Sequence, residues 1–144
     1  MSTPRSLPDY PLRSYDKLRY GDTDRQGHIN NAVFATLLET GRVELLYDPA
    51  RPLREPGKQF VLARVAIDLL AELTWPGTID IGTAVRKIGR SSLTLEQALF
   101  QADRCVARGE SVIVLTDTTT RRSTPLSQAA LDHLATLVLP AQPA

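Results

Sequence analysis

The sequence predicts an α+β fold, one curved antiparallel sheet wrapped around one long helix, and three observations predict it. From Asn31 to Tyr47 apolar side chains recur at three- and four-residue spacings, with Phe34, Leu37, Leu38, Gly41 and Leu45 on one face. After that run the chain changes character, to long β-branched segments separated by short turns. Only one further helical pattern follows, at the C-terminal end. A single long helix on one face of a single sheet is an α+β arrangement.

Taken in order, residues 1–12 hold three prolines and little apolar content, and read as a loosely ordered tail ahead of a single domain over 13–144. YDKLRY, Tyr15 to Tyr20, is a short strand candidate. The helix from Asn31 to Tyr47 is about 25 Å long at ~1.5 Å per residue, enough for a sheet to curl around. Gly41 inside its apolar face costs helix stability, which points to a close approach by something else. Glu39, Arg42 and Glu44 are expected off that face. Asp48 and Pro49 end the helix, and ARPLREPGK is a loop. In FVLARVAIDLLAEL the charges Arg64, Asp68 and Glu72 are four apart, as a helix would have them. The β-branched content and the stop at Trp75-Pro76-Gly77 favour a strand. TIDIGTAVRKI, a turn at Gly89-Arg90-Ser91, SLTLEQALFQ and CVARGESVIVLTDTTT extend this to a meander, with a kink expected near Gly109. TPLSQAALDHLATLV closes as a helix that Ser127 can cap.

The totals narrow the function classes. A chain of 144 residues suits one domain with its own core. A net charge of +1 offers no field for nucleic acid or an anionic membrane, although Arg86, Lys87 and Arg90 cluster, as do Arg121 and Arg122. The lone Cys105 rules out an internal disulfide and suits a reducing cytoplasm. No apolar run has membrane length, and MSTPRSLPDYPLR lacks the apolar stretch of a signal peptide. The expected location is cytoplasmic.

Chemistry concentrates in GDTDRQGHINN, Gly21 to Asn31, just before the long helix. Asp22, Asp24 and Gln26 followed by Gly27 begin like a calcium loop, but the twelfth position is Val33 where a bidentate carboxylate is needed. A transition-metal set of Asp22, Asp24 and His28 lacks a second nearby imidazole, since His133 lies in another element. There is no Gly-x-Ser-x-Gly elbow and no glycine-rich phosphate loop. A purely structural reading, with Asp24 or Asn30 as helix cap, needs one such residue and not a cluster. A carboxylate just ahead of a helix lies near unpaired backbone N–H groups, which can polarise a carbonyl as an oxyanion hole does. One loop then supplies an attacking or base group and an electrophile, which is the outline of an acyl-transfer site.

LRYGDTDRQGHINNAVFATLLETGRVELL resembles the opening of hotdog-fold acyl-CoA thioesterases, in the 4-hydroxybenzoyl-CoA thioesterase-like group. The plant acyl-carrier-protein thioesterases are similar. The resemblance continues through FVLARVAIDLLAEL, VRKIGRSSLTLEQALF and VARGESVIVLTDTTTRRSTPL. It implies a hotdog fold, a long central helix wrapped by a curved antiparallel sheet, and hydrolysis of an acyl thioester to free acid and coenzyme A. It implies no metal and no cofactor. Asp24 matches the family's catalytic aspartate, as nucleophile or as base on water, and the backbone N–H of Asn31 matches the amide that polarises the thioester carbonyl. Gln26 and His28 match positions that are Asn and His in the plant enzymes and help orient the site. Thr40 stands about where those enzymes place a glutamate, and Glu39, one residue away, does not inherit that role. Arg90, Ser91 and Ser92 match the cleft edge where coenzyme A phosphates lie, and Arg86 and Lys87, with Arg121 and Arg122, are further basic candidates for those phosphates.

Structural readings stand beside each of these. His28 can be a packing residue of the loop, Asn30 and Asn31 caps and turn-formers, Arg90-Ser91-Ser92 a plain hairpin turn. Glu39 with Arg42 reads as a helix ion pair or a subunit contact, and Arg64 as cover for the sheet face. The expected partners are acyl-CoA, or an acyl-carrier protein, and a second copy of the chain in a homodimer or in a tetramer of dimers. A non-catalytic acyl-thioester binding module is the rival from another class.

Overall fold

The computed structural model describes residues 5–139. Its elements are strand β1 (Leu12–Lys17), helix α1 (Asn31–Leu46), strands β2 (Lys58–Leu69), β3 (Thr78–Ile88), β4 (Ser92–Gln101) and β5 (Arg104–Asp117), and helix α2 (Gln128–Ala135). All pairings are antiparallel, and the five strands lie in the order β1-β3-β4-β5-β2. This is the expected architecture, a hotdog fold with α1 lying on one face of the sheet.

Two details depart from the meander. Only β3, β4 and β5 follow one another; β2 pairs with β5 and stands at the edge, because β1 occupies the free side of β3. Gly109 does not kink β5. It makes room for α1: a Cβ there would lie 2.8 Å from Leu38 Cδ1. The β4–β5 hairpin turns at Ala102 and Asp103, both at positive φ (49° and 62°), as a two-residue turn between twisted strands requires.

The N-terminal segment is also better packed than its composition suggested. Residues 1–4 lie outside the described region. Leu7–Asp9 form a 3-10 turn, and Tyr10 is 1% exposed. Its ring lies on Gly82 on the sheet's outer face, where a Cβ would come within 2.6 Å of it, and meets Phe100 edge-on at 6.2 Å. One aromatic anchor therefore fixes a segment that two prolines and a short sequence leave without periodicity. The strand expected at Tyr15–Tyr20 correspondingly begins earlier, at Leu12, and gives way to a 3-10 turn at Tyr20–Asp22.

Helix α1 starts where Asn30 caps it, its Oδ1 accepting from the Ala32 N–H at 3.0 Å. The predicted stripe of Phe34, Leu37, Leu38, Gly41 and Leu45 is buried. Its first half packs with Ile79, Ile81, Leu99 and Ala107, and its second half with Val85, Leu93, Leu95 and Ile113. Each such leucine contributes roughly 1.5–3 kcal/mol by its burial. Between the two apolar halves lies a polar junction. Gln97 Nε2 donates to the Leu38 carbonyl at 2.9 Å and to Thr83 Oγ1 at 3.0 Å. Gly41 rests on it, since a Cβ would stand 2.7 Å from both Gln97 Nε2 and Thr83 Oγ1. The close approach expected at Gly41 is this contact.

Arg42 corrects the sequence reading. Expected off the apolar face, it is 8% exposed. Among the described residues it forms no ion pair with Glu39 or any other carboxylate within 4.0 Å. Burial pulls its guanidinium below the ordinary value, offset in part by the charge of Glu39. Helix α2 is capped as predicted, Ser127 Oγ accepting from the Ala130 N–H at 3.1 Å.

Gly41→Ala should destabilise the fold by about 1–3 kcal/mol despite alanine's better helix propensity, because the added methyl must displace a hydrogen-bonded Gln97. Urea unfolding measures it. A variant at least as stable as the wild type would mean that the junction yields easily.

Candidate active site

The segment from Thr23 to Ile29 folds back on itself. Thr23 and Ile29 form an antiparallel bridge, the Asp24 N–H donates to the His28 carbonyl at 2.7 Å, and Gly27, at φ +84°, donates to the Asp24 carbonyl at 3.0 Å. Glycine suits this turn because a side chain resists that φ. The far side of the loop is stitched to the chain beyond β2, through Ile29 N–H to the Leu73 carbonyl at 2.8 Å and a bridge between His28 and Thr74. The loop thus sits at the end of the sheet where β2 leads over to the start of β3, directly ahead of α1.

Within it the polar residues divide the work. Asp24 Oδ1 accepts from the backbone N–H groups of Gln26 (2.9 Å) and His28 (3.2 Å), while Oδ2 has no partner among the described residues. The carboxylate is held by one oxygen and presents the other. The N–H of Asn31, first residue of α1, likewise has no acceptor among the described residues. Asn30 is the cap, and its own N–H donates to the Asp22 carbonyl at 2.9 Å. His28 Nε2 lies 3.2 Å from Glu72 Oε2. Gln26 is exposed.

Asp22 differs from Asp24 in kind. It is buried, takes a hydrogen bond from Arg19 Nη2 at 2.8 Å and another from the Arg19 N–H at 2.9 Å, and ties the 3-10 turn before the loop. The Arg19 side-chain hydrogen bond holds its carboxyl below the usual carboxylate value, against the opposing effect of burial. Glu72 and Arg19 were missed as neighbours of the motif. Glu72 carried no signal beyond a charge at the end of a strand, whereas an arginine three residues before an aspartate is a pattern that sequence can offer.

The second group of residues lies elsewhere. Arg90, Ser91 and Ser92 form the β3–β4 turn, with the Gly89 N–H donating to the Ser92 carbonyl at 2.7 Å. The Asp24 loop lies near the start of β3 and this turn at its end, eleven residues away, about 35 Å at ~3.3 Å per residue. One chain does not bring the two groups together. Arg121 and Arg122 lie in the turn at the end of β5, bonded to Asp117, on the same end of the sheet as the Arg90 turn, which Leu115 and Leu126 bond through the Ser91 and Arg90 carbonyls. Lys87 is exposed nearby, while Arg86 is engaged with Glu96 (3.3 Å) and Glu110 (3.5 Å). Among the described residues no three His, Cys, Asp or Glu side chains converge as a metal site would need, and no helix is long and apolar enough to cross a membrane.

The Asp22–Arg19 pair predicts an acid-labile increment of stability. Its folded pKa lies below the unfolded one, so the increment is present above the ordinary carboxylate value and is lost as pH falls through the depressed one. Asp22→Asn should lower Tm at pH 7, with the gap to wild type closing on acidification. Equal Tm values at pH 7 would remove this role.

Comparison with known proteins agrees with this geometry. The thioesterase-like superfamily matches residues 18–134. Among solved structures, a protein of Pseudomonas aeruginosa superposes with a TM-score of 0.84 at 25% identity, covering 95% of this chain and 98% of its own. A predicted thioesterase from Bacillus stearothermophilus gives 0.79 at 26%, covering 92% and 98%. A thioesterase from Thermus thermophilus, complexed with coenzyme A and Zn, gives 0.75 at 28%, covering 87% and 98%. No curated protein sequence matches. A hotdog sheet around one long helix, an aspartate loop at the helix start and a family match over most of the domain together make the chain a member of the thioesterase-like superfamily.

Proposed function

We propose that this protein hydrolyses acyl-CoA thioesters to a free acid and coenzyme A, with Asp24 as the reacting carboxylate. The observation that carries the reading is the Asp24 carboxylate itself, fixed through Oδ1 by two backbone N–H groups and unbonded at Oδ2, in the loop that leads into the unpaired Asn31 N–H at the start of α1. A thioester carbonyl accepting from that N–H, at the positive end of α1, becomes more electrophilic. Oδ2 then attacks the carbonyl carbon, the C–S bond breaks, and coenzyme A leaves as its thiol after protonation. Water hydrolyses the resulting acyl-aspartyl anhydride and restores the carboxylate. In the alternative course Oδ2 takes a proton from water, which attacks directly. His28, braced by Glu72, and the exposed Gln26 border the same loop and orient the acyl group or the water.

Asp24→Asn preserves the acceptor at Oδ1 and removes the charge. Hydrolysis of acyl-CoA, followed through release of free thiol over short, long and aromatic acyl chains, should show kcat reduced by on the order of 10²-fold or more. The folded state should be little changed. A wild-type rate in this variant would sink the assignment. Equal activity on truncated pantetheine thioesters would instead favour an acyl-carrier-protein substrate over coenzyme A.

The basic turn around Arg90, with Lys87, Arg121 and Arg122, is the proposed partner of the coenzyme A phosphates. Its distance from Asp24 within one chain implies that the two come from different copies. β2 is a long edge strand with Val61, Leu62, Val65 and Leu69 between 40% and 49% exposed, an edge that invites pairing. Antiparallel pairing of two β2 strands about a twofold axis returns the partner's basic end to the Asp24 loop. The protein is therefore proposed to be a homodimer, alone or paired into a tetramer. Mixing Asp24→Asn with Arg90→Ala chains should then restore activity at low acyl-CoA to roughly a quarter of wild type, since half the dimers would carry one intact site. No recovery, or a stable mass of 15.9 kDa by light scattering at micromolar concentration, would overturn the shared site.

A further inference from the structure

A cavity opens at the far end of α1 from the Asp24 loop, on the β1 side of the sheet, with a volume of about 500 Å³. It lies between β1, the second half of α1 and α2. Glu44, on its wall, is about 20 Å along the helix axis from Asn31 at ~1.5 Å per residue. The cavity is thus remote from the Asp24 loop and on the edge opposite β2, so a dimer formed through β2 leaves it open.

Its lining is divided by chemistry. The floor is apolar, made by Leu12, Leu45 and Leu137 with the bare backbone of Gly41. At its base lies Thr83, buried to 1% exposure. Gln97 Nε2 already spends its two protons on the Leu38 carbonyl and on Thr83 Oγ1, so Thr83 is an acceptor there. Its own hydroxyl proton has no acceptor among the described residues. The walls carry both signs of charge. Glu44, on the last turns of α1, and Asp48, just past its end, supply carboxylates. Arg13, which donates to the Tyr10 and Pro8 carbonyls, Arg51 and His133 also line it, with Arg51 Nη1 3.5 Å from His133 Nδ1. Arginine can only donate, so His133 accepts at Nδ1. Despite sharing one mouth, Arg51 forms no ion pair with Glu44 or Asp48 within 4.0 Å among the described residues. Asp48 is held back by its own turn, Oδ1 accepting from the Ala50 N–H at 2.9 Å.

We propose that this cavity binds an apolar zwitterion, a small molecule bearing an ammonium and a carboxylate at one end of a hydrocarbon body, as free L-phenylalanine and L-leucine do. The ammonium lies against Glu44 and Asp48, the carboxylate takes hydrogen bonds from the Arg51 guanidinium, and the hydrocarbon covers the leucine floor. A ligand with one charge leaves the groups of its own sign unanswered: a carboxylate alone meets Glu44 and Asp48, an amine alone meets Arg13 and Arg51. The volume suits such a ligand with a few ordered waters, within the usual range of small-molecule cavities.

Titration calorimetry on the full chain, with L-phenylalanine, L-leucine, octanoate and octylamine as probes, tests the site. The amino acids should bind at least 10-fold more tightly than either singly charged probe. Arg51→Gln and Glu44→Gln should each weaken them 10-fold or more, with thioester hydrolysis unchanged, because neither residue belongs to the Asp24 site. Amide chemical-shift changes on adding L-phenylalanine should centre on Ser14, Leu45 and Leu137, which locates binding even if a variant proves unstable. The proposal is overturned if neither amino acid binds at 10 mM, if octanoate binds as tightly as they do, or if the shift changes fall at the Asp24 loop.

Discussion

A helix lies flat across the inside of this sheet only because its midpoint has no side chain. Gly41 sits where Gln97 and Thr83 rise from β4 and β3, and any Cβ would displace them. The Gln97 amide in turn reaches the Leu38 carbonyl, so helix and sheet are joined by a directional bond at the point of closest approach. Hydrophobic packing on either side sets the strength of the contact, whereas the polar junction sets its register. A helix shifted by one residue would bring Thr40 or Arg42 onto Gln97, and neither fits. The start of α1, and with it the distance from the Asn31 N–H to Asp24, inherits that register.

The loop before α1 shows how a short motif separates structure from chemistry. Asp22, Asn30 and Gly27 have their bonding capacity used within the loop: a clamp on Arg19, a helix cap and a turn. Asp24 is only half used. Its Oδ1 accepts two backbone N–H groups, which fixes the carboxylate plane without reducing its charge, and the other oxygen remains unbonded. Preorganisation of this kind costs the side chain its rotamer freedom before substrate arrives, so none of that cost falls on the reaction.

Local signals in the sequence carried α1, its buried stripe, both capping residues' neighbourhoods and most strand positions, because each depends on residues close together in the chain. What stayed hidden depends on long-range partners. Tyr10 looked like part of a tail until Gly82 supplied a seat for its ring. β2 gave a strand pattern but not its place at the edge, which is decided by β1 taking the free side of β3. Arg42 falls beside the apolar stripe, and its burial to 8% exposure is a tertiary outcome that the local pattern does not carry. In the candidate site, the roles of Asp24 and Asn31 rest on a resemblance that the loop geometry supports, while the Glu72 contact to His28 joins elements that no local pattern links.

Arg42 and β2 pose the same physical problem from two directions. A guanidinium at 8% exposure without a carboxylate within reach is costly in a monomer, and so is an apolar edge strand with unpaired backbone groups. Helix position 42 is one turn beyond Leu38, which rests against Gly109 of β5, the strand that β2 flanks. Both unmet needs therefore fall toward the β5–β2 half of the sheet, and the Asp24 loop is stitched, through Leu73 and Thr74, to the connection that leads out of β2. The opposite edge, β1, is half as long, and its Asp16 is already bonded to Thr40 of α1. A second copy arriving at β2, as the proposed function requires, would satisfy the edge, shield the loop from bulk water and bring a basic turn to it in one step. The difference between the two edges is why the proposed dimer is built on β2 and leaves the β1 side free to hold a separate cavity.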